Sequence, residues 1–211
     1  MRMETYMHKN NILWGQCIKN SEEDDNDENT EKKTSSFIET VGNRIFFYAN
    51  IESDKILQLN KQIRETDNEH IVSNQNIVDL PPIFLHIHSI GGDIFGGFSA
   101  LDNILQCKSK VISIVDGVCA SSATFLSVGA KERYIMNHSF MLIHQLSSGF
   151  WGKYSEFSDE MKNLNMFMKH IQSIYQKYTK LPSNKLSEIL KRDLFFDAKT
   201  CLKYGMVDKI I

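Results

Sequence analysis

Apolar positions change their spacing along the chain, and each change predicts a different element. RIFFYANI (44–51), IFLHIHS (83–89) and KVISIV (110–115) are short runs of β-branched and aromatic residues, which predict strands. KVISIV is nearly all apolar, which is typical of a strand covered on both faces. RYIM (133–136) and SFMLIH (139–144) predict two further short strands.

Between these runs the apolar spacing lengthens to the three and four residues of a helix. SDKILQLNKQIRE (53–65) predicts an amphipathic helix capped by Ser53 or Asp54, and IGGDIFGGFSALDNILQC (90–107) predicts a glycine turn that leads into another. Pro182 begins a shorter helix. The clearest helix has six apolar residues on one face: Tyr154, Phe157, Met161, Leu164, Met168 and Ile171.

The remaining segments complete an alternating pattern. NEHIVSNQNIVDLPP (68–82) is polar and predicts a loop. The chain ends with the strand-like LFF (194–196), a short helix and the strand MVDKII (206–211). Strands that alternate with helices predict an α/β fold with mainly parallel strands.

The beginning of the chain differs from the rest in charge. SEEDDNDENTE (21–31) cannot bury enough apolar surface to offset the entropy of ordering, and its like charges repel. We therefore predict a disordered acidic leader at 1–35 and a single folded domain at 36–211, in keeping with a length of 211 residues.

Composition excludes several classes of protein. A net charge of −2 provides no basic field for nucleic acid, and the four cysteines form no C-x-x-C pair that would indicate a disulfide framework or zinc site. The N-terminus lacks the apolar core of a signal peptide, and no stretch approaches the roughly 18 apolar residues of a membrane helix. We expect a cytoplasmic protein that binds no nucleic acid, membrane or metal.

GVCASSATFL (117–126) has two adjacent serines where a strand leads into a helix. A serine becomes a nucleophile when a histidine accepts its proton and a carboxylate orients that histidine. Ser121 follows a predicted turn, Gly117–Ala120, and would lie in the first turn of the helix, where the helix dipole favours negative charge. A capping or packing role fits the same local sequence.

SIGGD (89–93) and the histidines add to this picture. Glycines directly after a strand allow backbone N–H groups to form an oxyanion hole. His144 ends an apolar strand that can deliver it to a shared site, whereas His138 lies in the turn before that strand. His86 and His88 face one side of their strand, but no carboxylate or cysteine nearby completes a metal site. The orienting carboxylate stays open among four residues: Asp93, Asp193, Asp197 and Asp208.

In their order these motifs resemble ClpP, the proteolytic subunit of the Clp proteases, from about Arg44 to Ile211. The matching pieces are LHIHSIGGDIFGGFSALDNI, GVCASSATFL, GAKERYIM, FMLIHQL and KRDLFFDAKTCLKYGMVDKII. The resemblance implies a ClpP/crotonase-like fold of repeated β-β-α units with a protruding handle helix. It also implies a homo-oligomer of two stacked seven-membered rings that encloses the active sites.

The same resemblance assigns roles to residues of this chain. It implies Ser121 as nucleophile, His144 as base and Asp193 as orienting acid. The backbone N–H groups of Gly92 and Ser122 would form the oxyanion hole, so Ser122 would act through its backbone rather than its hydroxyl.

Substrate binding and partners follow from the resemblance as well. Gly91 and the segment around Ser148, Gly149 and Phe150 would bind an extended substrate by strand addition. The chain would bind no cofactor, and ATP would be used only by a partner unfoldase of the Clp ATPase type.

Two departures from the family pattern stand out. Residues 121–123 are Ser-Ser-Ala where the family has Ser-Met-Gly, and Ile90 replaces a common proline, which makes the chain similar to phage and prophage Clp-like proteases. The pocket with which the family docks its ATPase is apolar. Phe84 and Ile114 fit that pocket, but polar residues fall at three of its positions: His86, Gln106 and Asp116.

Four functions are therefore compared. The first is a serine endopeptidase that cleaves peptides and unfolded proteins with an ATP-dependent unfoldase. The alternatives are a phage-type Clp-like or capsid-maturation protease that works without an ATPase, an acyl-CoA enzyme of the crotonase kind, and a non-catalytic Clp-type ring subunit. His144 and Asp193 favour a Ser-His-Asp triad over a serine–lysine pair.

Overall fold

The structure is a computed structural model that describes residues 38–74 and 79–211. The predicted leader, 1–35, lies outside the described residues. The strands are β1 (Ile38–Val41), β2 (Arg44–Phe47), β3 (Ile83–Ser89), β4 (Val111–Ala120), β5 (Glu132–Ile135), β6 (Phe140–Leu142), β7 (Phe195–Asp197) and β8 (Lys209–Ile210). The helices are α1 (Ser53–Ser73), α2 (Ile94–Gln106), α3 (Thr124–Val128), α4 (Tyr154–Tyr178), α5 (Ser183–Ile189) and α6 (Ala198–Lys203).

These strands form one sheet in the order β1-β2-β3-β4-β5-β8, and β6 and β7 extend it beside the end of β4. Pairing is parallel from β2 through β8 and between β4 and β6, while β1 and β7 pair antiparallel with β2 and β6. The predicted α/β fold with mainly parallel strands is thus confirmed.

Strand β4 is longer than predicted and pairs with two different neighbours on one side. Its first half pairs with β5 through Ile112–Val115, and its last residues pair with β6 through Val118–Ala120. Gly117 lies between the two halves with a φ of 92°. The prediction of a turn at Gly117–Ala120 is therefore wrong, because glycine allows the strand to bend there without ending.

Helix α1 also runs further than predicted, to Ser73, so the prediction of a loop that begins at residue 68 is wrong. Tertiary contacts stabilise the polar extension. The buried carboxylate of Asp67 accepts hydrogen bonds from the backbone N–H groups of Lys108 and Ser109, at 3.1 and 2.7 Å. This pair of bonds joins the helix to the connection between α2 and β4.

Two local expectations also differ from the structure. Glu52 stands at the N-cap of α1 without a side-chain capping bond, and Ser53 and Asp54 lie inside the helix. Strand β1 was not predicted, because Ile38 is its one buried residue and its sequence has no alternation of apolar and polar residues. Gly42, with a φ of 59°, makes the turn from β1 into β2.

Helix α4 confirms the predicted protruding helix. Its 25 residues would extend about 37 Å at 1.5 Å per residue. Burial rises steeply along the predicted apolar face, since Tyr154 is 93% exposed and Ile171 only 4% exposed. The C-terminal half packs on the core and the N-terminal half leaves it. Among the described residues, no helix is long and apolar enough to cross a membrane.

We predict that Asp67→Ala lowers the free energy of unfolding by about 1–3 kcal/mol, because two backbone N–H groups lose their partner. Thermal unfolding should shift by about 2–4 °C per kcal/mol in a domain of this size. Asp67→Asn keeps one acceptor oxygen but sets its NH2 donor against the second backbone N–H, so it should also lose stability. An unchanged melting temperature in Asp67→Ala would contradict this role.

Candidate active site

The site begins with the parallel pairing of β3 and β4, because the carboxyl ends of parallel strands meet at one edge of a sheet. Ser89 at the end of β3 pairs with Cys119 near the end of β4. The Gly91–Gly92 turn follows β3, and Ser121 follows β4 directly. Two segments far apart in sequence therefore leave the sheet side by side.

Ser121 has a strained backbone. Its φ of 55° lies in the left-handed region, and it is the one non-glycine residue with positive φ in the described ranges. Such a conformation costs about 1–3 kcal/mol and is common at functional sites, where surrounding contacts hold it. It begins a short 3-10 turn, Ser121–Ala123, that leads into α3.

Two hydroxyl groups, of Thr124 and Tyr175, stabilise this turn through hydrogen bonds. Thr124 Oγ1 donates to the Ser121 carbonyl oxygen at 2.6 Å, so the Tyr175 hydroxyl must donate to Thr124 Oγ1, also at 2.6 Å. Burial raises the pKa of Tyr175, which therefore keeps its proton. Sequence reasoning missed both residues, although Tyr175 extends the apolar stripe of α4 by four residues.

Strand pairing brings His144 to Ser121. Leu142 of β6 pairs with Ala120 of β4, so the residues that follow each strand are neighbours. His144 Nε2 lies 2.7 Å from Ser121 Oγ. The predicted pair of histidine and serine therefore lies at hydrogen-bonding distance.

The antiparallel register of β7 brings Asp193 to the same histidine. Phe195 pairs with Leu142, so continuing this register places Asp193, two residues before Phe195, opposite His144, two residues after Leu142. His144 Nδ1 lies 3.1 Å from Asp193 Oδ1. A carboxylate only accepts hydrogen bonds, so it favours a proton on Nδ1 and leaves Nε2 free to accept the serine proton.

The other three candidate acids have different partners. Asp93 caps α2 and accepts hydrogen bonds from Phe95 and Gly96, and Asp197 caps α6. Asp208 pairs with Arg133 at 2.6 Å. Of the four carboxylates that the sequence left open, Asp193 is the one recorded beside His144. Its side chain is 80% exposed in the isolated chain.

Both glycines of the turn after β3 have positive φ, 96° at Gly91 and 149° at Gly92. A Cβ at Gly91 would lie 2.6 Å from Ser121 Cβ, and one at Gly92 would overlap the carbonyl of Ile51. The Ile51 N–H donates to the Gly91 carbonyl at 2.9 Å. Because the C=O and N–H of one trans peptide point opposite ways, the Gly92 N–H points away from Ile51. Gly92 and Ser122 line the cleft with Ser121.

The cleft beside Ser121 has an apolar wall. Its apolar lining residues are Ile94, Phe125, Leu146, Ile171 and Tyr175. The segment after His144 contributes Gln145 and Ser147 besides Leu146, but the predicted substrate-binding residues Ser148, Gly149 and Phe150 lie outside this lining. These three continue an extended stretch, 143–153, that belongs to neither a helix nor a strand, and their role stays a prediction. Gly91, the fourth predicted binding residue, is buried against Ser121.

The paired histidines of β3 belong to a separate polar network. His86 Nε2 accepts from Arg44 at 3.0 Å, and its Nδ1 lies 3.2 Å from Asp116. Tyr48 donates to Asp116 at 2.7 Å and stacks on His88. Among the described residues, no group of three histidine, cysteine or carboxylate side chains is arranged to hold a metal ion.

Comparison with known proteins agrees with the fold and with the order of the motifs. The profile of the Clp protease family matches residues 41–211. The ATP-dependent Clp protease proteolytic subunit 2 of Treponema denticola is 30% identical over 155 residues, which cover 72% of this chain and 78% of the relative. The ATP-dependent Clp protease proteolytic subunit of Deinococcus radiodurans is 28% identical over 170 residues, which cover 78% of this chain and 83% of that protein.

A solved structure of a ClpP1 mutant from Listeria monocytogenes has the same fold, with a TM-score of 0.67 at 22% identity over 77% of this chain and 86% of the other. The fold is that of the ClpP peptidases. The chain belongs to the Clp protease family, whose members are hydrolases of peptide bonds. The resemblance in the sequence motifs is thereby confirmed.

We predict that Gly91→Ala abolishes peptidase activity, because its Cβ would push against Ser121 Cβ and the Ala120 carbonyl. Gly42→Ala is the matched control: Gly42 also has positive φ, but a Cβ there meets nothing within 4 Å. Gly42→Ala should lose about 1–2 kcal/mol of stability, the cost of a left-handed conformation for alanine, and keep its activity. Equal activity in the two variants, measured with a fluorogenic peptide, would contradict the close contact.

Proposed function

We propose that the chain is a serine endopeptidase that cleaves peptides and unfolded proteins through Ser121, His144 and Asp193. The observation that carries the proposal is the 2.7 Å approach of His144 Nε2 to the hydroxyl of a serine in a strained, left-handed conformation. A packing serine has no need of that backbone conformation, whereas a nucleophile presented at the end of a strand commonly has it. Membership of a peptidase family supports the same reaction.

The reaction proceeds through an acyl-enzyme. Ser121 Oγ attacks the peptide carbonyl carbon while His144 Nε2 takes the hydroxyl proton, and Asp193 stabilises the imidazolium that forms. The Gly92 and Ser122 N–H groups bind the oxyanion, and each such donor contributes about 3–4 kcal/mol of transition-state stabilisation. His144 then gives its proton to the leaving amine, and a water molecule that it deprotonates releases the acyl group from Ser121.

The cleft supports a preference for apolar side chains at the residue before the cleaved bond. Its wall is aliphatic and aromatic, and the one titratable side chain in that wall, Tyr175, stays neutral because burial raises its pKa. A charged substrate side chain would lose hydration there without gaining a partner. Residues 147–152 belong to no helix or strand, so we assign Ser148, Gly149 and Phe150 to the strand that pairs with an extended substrate.

Assembly into a homo-oligomer is part of the proposal. Large apolar side chains are exposed in the segment before α4 and in the first half of α4. They include Trp151, which is 94% exposed, Tyr154 and Met161. Several large apolar side chains exposed along one segment support an interface there. Other copies of the chain cover it in two stacked seven-membered rings, which enclose the active sites.

A Clp-type ATPase that unfolds substrates is the proposed partner, and ATP is used there, since the chain itself binds no cofactor. The predicted docking pocket is polar at His86 and Asp116, which belong to the network with Arg44 and Tyr48. Burial and the hydrogen bond to Asp116 raise the pKa of Tyr48 to about 12. Gln106, the third polar residue of the predicted pocket, is the last residue of α2 and lines a cleft to which His86 and Asp116 do not contribute. This polarity favours, as second candidate, a phage-type Clp-like protease that works without an ATPase.

We predict that Ser121→Ala and His144→Ala each abolish peptide hydrolysis and labelling by a fluorophosphonate, because each removes a partner in the proton transfer. The control is His138→Ala, an exposed histidine in the turn before β6, which should react like the unmodified protein. Labelling that survives Ser121→Ala, located by mass spectrometry, would refute the assignment.

We predict that Met161→Glu reduces the particle mass measured by light scattering, because a carboxylate replaces an exposed apolar group on the proposed interface. Lys169→Glu changes an exposed residue of the same helix by more charge, without touching the apolar face, and should keep the assembly. An assembly that is unchanged by Met161→Glu would contradict an interface at this part of α4.

A further inference from the structure

We propose that the Ser122 hydroxyl is a positioning group for the oxyanion hole, a role beyond that of the Ser122 backbone. The side chain is 5% exposed, and its Oγ donates a hydrogen bond to the carbonyl oxygen of Gly92 at 3.1 Å. This bond joins the turn after β4 directly to the turn after β3. The proposal rests on the proposed serine-peptidase function.

The bond acts on the two groups that would hold the oxyanion. The N–H of Gly92 and the N–H of Ser122 come from different turns, and their separation depends on how those turns are held together. The Ser122 hydroxyl spans the same two residues, so it restrains one donor relative to the other. Electrostatic stabilisation of an oxyanion requires donors that are in place before the charge develops.

The glycine turn needs such a restraint. Gly91 and Gly92 have no side chains and rotate more freely than other residues. Ile51 holds the turn on one side, by donating to the Gly91 carbonyl and by accepting from the N–H of Asp93 at 2.8 Å. Ser122 holds it on the other side through the Gly92 carbonyl. Ile51 thus holds the peptide planes on both sides of Gly92, and Ser122 adds a second bond to the plane after it.

Packing keeps the Ser122 side chain in this position. A Cβ at Gly97 of α2 would lie 3.1 Å from Ser122 Cβ and 3.0 Å from its carbonyl oxygen, so the helix is close against residue 122. The hydroxyl is thereby confined beside the Gly92 carbonyl.

Ser122→Ala tests the proposal with steady-state kinetics on a fluorogenic peptide. We expect kcat to fall about tenfold while KM stays within about twofold, because the oxyanion exists only in the transition state. The affinity of a peptide aldehyde, whose hemiacetal oxygen occupies the oxyanion hole, should fall by the same factor. Ser122→Cys keeps the size of the side chain but donates only weakly through its S–H, so its kcat should fall by a similar factor.

Ser113→Ala is the matched control, since Ser113 is also buried and its hydroxyl bonds to the Ser127 carbonyl, away from both turns. It should lose thermal stability comparable to Ser122→Ala and keep its kcat. An unchanged kcat in Ser122→Ala, or an unchanged kcat in Ser122→Cys, overturns the inference. Hydrolysis that persists in Ser121→Ala overturns the proposed function as well, so the two failures are distinguishable.

Discussion

The pairing of β4 with β3 on one side and β6 on the other is the constraint on which the whole site depends. Ser89 lies beside Cys119 and Ala120 beside Leu142, so three chain segments leave the sheet at one edge. The antiparallel addition of β7 to β6 brings a fourth segment to the same place. Strand spacing and register are set by backbone hydrogen bonds, which makes such a frame stiff enough to hold a hydroxyl, an imidazole and a carboxylate within reach of one another.

Within this frame, hydrogen bonds offset the local strain at the proposed nucleophile. The Ser121 carbonyl accepts a hydrogen bond from Thr124, whose hydroxyl is in turn bonded to Tyr175. The hydroxyl of the next residue, Ser122, is hydrogen-bonded to the glycine turn. Tyr175 belongs to α4, whose other end exposes its apolar face. One helix therefore contributes both to the wall of the cleft beside the site and to the surface proposed to meet other copies.

Arg44, Tyr48, His86 and Asp116 form a polar network on the outer face of the sheet. Three of its members lie on β2, β3 and β4, where alternation places every second residue on the face away from the core, and Tyr48 follows β2 directly. The core face of the same strands is apolar, with Phe47, Leu85 and Val115 buried.

The periodic spacing of apolar residues was enough to predict β3, the long α4 and the α/β class. These features depend on which side chains within a single helix or strand are buried. The local sequence pattern gave the wrong element boundaries where a contact with a residue distant in sequence determines where the helix or strand ends. The polar end of α1 is helical because Asp67 bonds to the chain before β4, and β4 continues through Gly117 because it pairs with a second strand, β6.

Sequence order and residue type, with a family resemblance, pointed to Ser121, His144 and Asp193. From the residues alone four carboxylates were equivalent, since residue type carries no information about distance. The register of β7 on β6 brings Asp193 beside His144, and packing against α2 holds the Ser122 hydroxyl beside the Gly92 carbonyl.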